Sequence, residues 1–209
     1  MTISREKNSR KKALLQKIAG EIARCKECRR GKTGLPVPGE GDANARIVFV
    51  GMAPGREEAK TGRPFVGRSG RVLTEMLSSI GMDRNRKDSG IYITSPVKYY
   101  PGQRNLTAAD TGHGAKHLSE QIAAISPRLV VLLGNVAARA LLPDERISVS
   151  KMHGRLIETG PRVRSGRIPI MYFVTFHPSA AMRFPKTRKL MEADFAKLRK
   201  MLKGLEATA

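Results

Sequence analysis

Four short apolar runs, at 47–50, 91–94, 129–133 and 170–175, constrain this chain most, because stretches with helical spacing separate them. Runs of this length bounded by turn residues read as buried strands. Helical spacing is found at 11–24, where Leu14, Leu15, Ile18 and Ile22 share a face, and again at 69–80, 113–125, 135–142 and 188–203. Strands alternating with helices predict an α/β fold whose parallel sheet is covered on both faces. Residues 146–168 read as an irregular or hairpin excursion before the last strand.

In such a sheet the loops after each strand gather at one edge, where ligands bind. The loop at 51–70, GMAPGREEAKTGRPFVGRSG, is packed with Gly and Pro and holds one aromatic, Phe65, with no core to join. A flat ring beside backbone N–H groups suits stacking on a base. The second loop carries Ser95, Lys98, Tyr99 and Arg104, the third Gly134-Asn135, and the fourth Phe176-His177-Pro178-Ser179 with Arg183. Pro178 and the small residues after it predict a tight turn into a helix, with His177 presented at the site and Arg183 suited to a phosphate.

Charge narrows the partner. With 39 Lys+Arg against 18 Asp+Glu in 209 residues, the net charge is +21, so the surface attracts a polyanion, and a nucleic acid is the natural one. No apolar run approaches membrane-spanning length and no secretory leader is visible, which predicts an intracellular, cytoplasmic and nucleoid-associated monomer. The first dozen residues read as a flexible basic arm (1–12) ahead of one domain (13–209).

Taken together, Pro38-Gly39-Glu40-Gly41-Asp42, the 51–70 loop with its specific Thr61-Gly62-Arg63-Pro64-Phe65-Val66-Gly67 run, the 96–107 segment and His177-Pro178-Ser179 resemble family 4 of the uracil-DNA glycosylase superfamily. The resemblance covers about residues 20–203. It implies a three-layer sandwich with a central, mostly parallel four-stranded sheet. It also implies a DNA glycosylase that flips a deaminated base, uracil first, into a pocket and hydrolyses its glycosidic bond.

Residue roles follow from the same resemblance. Phe65 stacks on the base, with Gly51, Pro54, Ser95 and Asn135 around it. His177 stabilises the leaving base, while Met52, Ala53 and Gly55 hold base or water through their N–H groups. Arg63, Lys98, Arg104, Ser179 and Arg183 face the DNA. No lysine is placed for a Schiff base, so the product is an abasic site.

Three positions depart from the family pattern. Met52 stands where relatives keep Glu, which leaves Glu57, or less readily Glu58, to orient water. Ser95 stands where relatives read the base with Asn, so a pocket for hypoxanthine, xanthine or another base is an alternative. So is a binding protein that has lost turnover. An NTP-binding reading is weak, since no Gly-Lys-Ser/Thr ends the Gly-rich loop.

The third departure concerns metal. The resemblance implies a [4Fe–4S] cluster on four cysteines, but only Cys25 and Cys28 are present, and the other two positions align near Tyr99 and Gly114. A Cys₄ cluster cannot form within one chain, and the chemistry expected of the pocket requires no cofactor. His113 and His117, at i and i+4, could join the cysteines in a structural zinc site. The alternative is a metal-free fold with Tyr99 filling the vacated space.

Overall fold

A computed structural model describes residues 2–86, 88–142, 147–158 and 170–207. The chain begins with helix α1 (Thr2–Arg24) and a single turn, α2 (Lys26–Arg29). Of the stretch expected as a flexible arm, residues 2–12 belong to α1, in keeping with their Lys, Arg and Glu, which are good helix formers. Ile18 and Ile22 are buried and Leu15 packs against the core, but Leu14, expected on the same face, is 43% exposed. The elements that follow are β1 (Glu40–Gly41), β2 (Ile47–Val50), α3 (Arg56–Thr61), α4 (Arg68–Ser79), β3 (Ile91–Thr94), α5 (Ala108–Ile125) and β4 (Leu129–Leu133). After them come α6 (Asn135–Leu141), α7 (Val149–Met152), β5 (Arg155–Glu158), β6 (Met171–Thr175), α8 (Pro178–Arg183) and α9 (Pro185–Ala207).

The sheet order is β1-β3-β2-β4-β6-β5. Its four central strands are parallel, as expected, with Phe49 opposite both Ile93 and Val131, and Val131 opposite Phe173. Two short antiparallel strands, β1 and β5, close the edges and raise the count to six. β5 and α7 lie in the excursion foreseen at 146–168, of which 146 and 159–168 fall outside the described residues.

Side chains alternate across a strand, so each strand feeds two cores. Phe49, Ile93, Val131 and Phe173 meet Leu73 and Leu77 of α4 and Phe195 and Leu198 of α9 on one face. Val48, Val50, Val130, Leu132 and Val174 meet Leu118 and Ile122 of α5 and Ala137 and Ala138 of α6 on the other. Each such fully buried Leu or Phe contributes about 1.5–3 kcal/mol. Lys11 ties α1 to this second layer, its Nζ donating to the Ile125 carbonyl at the end of α5 (2.6 Å).

Besides α1, helices α5 and α3 depart from the expected spacing. α5 starts five residues early because Thr107 and Asp110 form a capping box. α3 sits inside the Gly-rich stretch read as loop.

Candidate active site

Because the central strands run parallel, the loops after β2, β3, β4 and β6 open on the same edge of the sheet. They line a cavity of about 570 Å³ whose wall includes Met52, Ala53, Pro54, Gly55, Phe65 and Ser95. Arg104, His177 and Ser179 also line it, as does Glu58, the lesser of the two candidates for orienting water, together with Tyr100, Leu106 and Val136, which sequence reasoning had given no role.

His177 is the N-cap of α8, with Pro178 at the first helical position. Its Nδ1 accepts from the Ser179 backbone N–H (3.1 Å) and lies 2.8 Å from Ser179 Oγ. A backbone N–H can only donate, so Nδ1 is the bare nitrogen and the neutral ring carries its proton on Nε2. Burial first, and then the nearby Arg183 charge, push the His177 pKa down to about 4. The ring is therefore a neutral N–H donor at ordinary pH. Ser179, expected against DNA, instead fixes this tautomer.

Phe65 adopts φ +52°, a left-handed conformation that costs a non-glycine residue about 1–3 kcal/mol. Arg84 holds it there, donating from Nη1 to the Phe65 carbonyl (2.8 Å) and from Nη2 to the Pro64 carbonyl (2.6 Å) and Glu40 (2.9 Å). The ring lies beside His177, centroids 5.8 Å apart, and over Gly51, where a Cβ would stand 2.6 Å from the ring. Gly51 thus provides clearance for the ring, and it does not line the cavity. Arg63 pairs with the other side of Glu40 (2.8 Å). Burial raises the Glu40 pKa, but the two guanidiniums outweigh it and hold the carboxyl below its ordinary range.

Neither glutamate takes the water-orienting part. Glu57 is exposed and ion-paired with Lys60 (2.9 Å), outside the cavity. Glu58 is buried, and its carboxylate accepts from the N–H groups of Val66 and Gly67 (2.8 Å each) and Gly55 (3.0 Å). This engages the Gly55 donor that had been assigned to base or water. Among the described residues, none hydrogen-bonds the N–H of Met52 or Ala53. The Gly55-x-x-Glu58 spacing, that of a capping box, was the one sequence signal for this clamp.

Other assignments move as well. Ser95 is buried, and its hydroxyl donates to the Val97 carbonyl (2.7 Å), which leaves lone pairs on Oγ. Asn135 accepts from the Val149 N–H (2.8 Å) and is absent from the cavity wall. Lys98 cannot reach DNA because it is 1% exposed. Its Nζ donates to Pro38 O, Thr94 Oγ1 and Gln121 Oε1 at 2.8–3.1 Å, and burial pushes its pKa down to about 7.

Arg104 forms a bidentate pair with Asp110 (2.7 and 2.9 Å), whose carboxylate also binds the buried Lys32 (2.6 Å). Its charge therefore braces the wall of the cavity. The Arg104 bonds, then Lys32, hold the Asp110 carboxyl well below its usual range. Among the described residues Arg183 has no carboxylate partner; it leans over Phe184, which is 57% exposed beside the exposed Met182.

Away from the cavity, Cys25, Cys28, His113 and His117 come together, their donor atoms all within 4.8 Å of one another. Tyr99 packs in the same small core as Cys28, and its hydroxyl donates to the Ala23 carbonyl (3.1 Å). A ligand at position 114 itself is excluded, because a Cβ on Gly114 would collide with the Pro96 carbonyl.

Comparison with known proteins finds a matching family and similar chains. The family model described as the uracil DNA glycosylase superfamily matches residues 38–203. The chain is 38% identical to a type-4 uracil-DNA glycosylase of Archaeoglobus fulgidus, over 88% of this chain and 91% of the relative. It is 35% identical to the type-4 enzyme of Sulfurisphaera tokodaii, over 90% and 84% of the two chains, and 32% identical to that of Saccharolobus solfataricus, over 93% and 89%.

Proposed function

The chain belongs to the uracil-DNA glycosylase superfamily, and from that membership we propose that it excises a deaminated base, uracil first, from DNA as a monofunctional glycosylase acting as a monomer. The observation that carries the chemistry is the neutral His177, with its proton on Nε2 at the cavity that Phe65 floors. A flipped pyrimidine stacks on Phe65. As the C1′–N1 bond breaks, its electron pair passes to the base, and His177 Nε2–H donates to the O2 atom that gains the charge. A fixed neutral donor stabilises such an anion through the same physics as an oxyanion hole. The N–H groups of Met52 and Ala53 are available to the base or to water.

In the described residues, the only carboxylate on the cavity wall is Glu58, and three backbone N–H groups occupy it. The scheme therefore leans on leaving-group stabilisation, with DNA phosphates balancing the cationic sugar. Water adds to C1′ and gives up its proton to the departed base or to solvent. Any ion held by Cys25, Cys28, His113 and His117 lies outside the cavity wall and takes no part in this step.

Ser95 sets the breadth of selection. With its hydrogen committed to Val97, Oγ offers an acceptor to an N–H on the base edge. Uracil, hypoxanthine and xanthine carry an N–H there, whereas cytosine and adenine present a bare acceptor. This favours a deaminated base over cytosine or adenine and supports the broader-specificity reading alongside uracil, while thymine and guanine, which carry the same N–H, have to be turned away by the rest of the cavity.

A panel of single- and double-stranded oligonucleotides bearing uracil, hypoxanthine or xanthine tests the proposal. The expected result is release of uracil, with strand cleavage only after alkali. Tight binding without release of any of these bases would leave a non-catalytic DNA-binding relative.

A further inference from the structure

The cysteine–histidine quartet does not fit the iron–sulfur cluster that the family resemblance implies, and its spacing suits a different occupant. Cys25 caps α2 and Cys28 lies within it, while His113 and His117 share one face of α5 a single turn apart. Cys25 Sγ lies 3.1 Å from His113 Nε2, and the Cys28 N–H donates to Cys25 Sγ (3.3 Å). His117 Nδ1 contacts Glu120 (3.2 Å), which leaves Nε2 for a ligand and gives the imidazole the carboxylate partner typical of metal-bound histidines.

A tetrahedral zinc ion, with metal–sulfur bonds of about 2.3 Å and metal–nitrogen bonds of about 2.0–2.1 Å, sets its ligand atoms roughly 3.3–3.8 Å apart. Donors all within 4.8 Å can collapse onto one such ion with small side-chain shifts. A [4Fe–4S] cube instead places each protein ligand on a different iron and needs the donors spread around it. A Rieske-type [2Fe–2S] centre accepts two cysteines and two histidines, but holds the sulfur pair and the nitrogen pair on separate irons. Contact between Cys25 Sγ and His113 Nε2 is incompatible with that separation.

We propose that Cys25, Cys28, His113 and His117 bind one zinc ion, which staples α2 to α5 where relatives of the family are expected to carry a cluster. The staple closes a long loop of chain and adjoins the Lys32–Asp110–Arg104 pairs that brace the cavity wall. The inference does not depend on what the cavity does to DNA.

Elemental analysis of untagged protein purified without chelator should give about one zinc per chain and negligible iron, with no acid-labile sulfide. After zinc is stripped, titration with Co²⁺ should produce the visible d–d bands of a tetrahedral sulfur–nitrogen site at one equivalent. His113→Ala should lose metal, whereas His113→Cys should regain it, since three cysteines and one histidine also form a zinc site. Chelation of the wild type should lower Tm by roughly 5–10 °C. Stoichiometric iron with sulfide, failure of the stripped chain to take Co²⁺ or Zn²⁺, or full zinc retention in His113→Ala would each overturn the proposal.

Discussion

His177 shows how one backbone bond can decide the chemistry of a side chain. The Ser179 N–H claims Nδ1, so a second proton would have to settle on a nitrogen already facing a donor, beside the Arg183 charge. Its pKa of about 4 lies below the ordinary value of 6.5. The unfolded chain therefore binds this proton more readily, and the stability His177 contributes is full above about pH 6.5 and lost as pH falls toward 4. An NMR titration of the free protein should find His177 neutral at pH 5.5, and protonation centred near 6.5 would refute the assignment. Replacing His177 with Ala should slow uracil release by about a hundredfold or more in single-turnover assays, if the fixed donor stabilises the departing base. Near-normal release would remove it from the mechanism.

At the scale of elements, the pocket is a loop held from two sides. Glu58 draws in Gly55, Val66 and Gly67, while Arg84 grips Pro64 and Phe65. Glu58→Gln keeps the shape but turns at least one acceptor into a donor facing an N–H, so it should cost about 1–3 kcal/mol in urea unfolding and reduce uracil release. Unchanged stability would mean that the clamp is dispensable.

The four central strands and the cover on both faces of their sheet were legible because burial on both sides imposes unbroken apolar runs. Glu58 and Lys98 were not, since a charged side chain reads as solvated until distant segments supply its partners. Lys98 depends on Pro38 and Gln121, which neighbour it only in the folded chain. Asn135 and Ser179 were placed on the correct loops, but their side chains serve the scaffold and His177 respectively. The metal quartet was half legible, since the pair spacings could be read but their meeting depends on α2 packing against α5.

Over the whole molecule, the net charge of +21 makes counterion release the main source of DNA affinity. Binding to undamaged duplex should weaken about a thousandfold or more between 50 and 200 mM salt, and affinity independent of salt would contradict an electrostatic interface. The edge strand β1 has a consequence for timing. Its two residues pair only with Ile93 and Tyr92, yet Glu40 on that strand anchors both Arg63 and Arg84. Fraying of so short a ladder would release the brace on Phe65 while both cores stay intact. Hydrogen exchange should then find the amides of Val66 and Gly67 opening well before those of β2 and β4. A thermally stressed population would lose its capacity for repair while still counting as folded by every measure of its core.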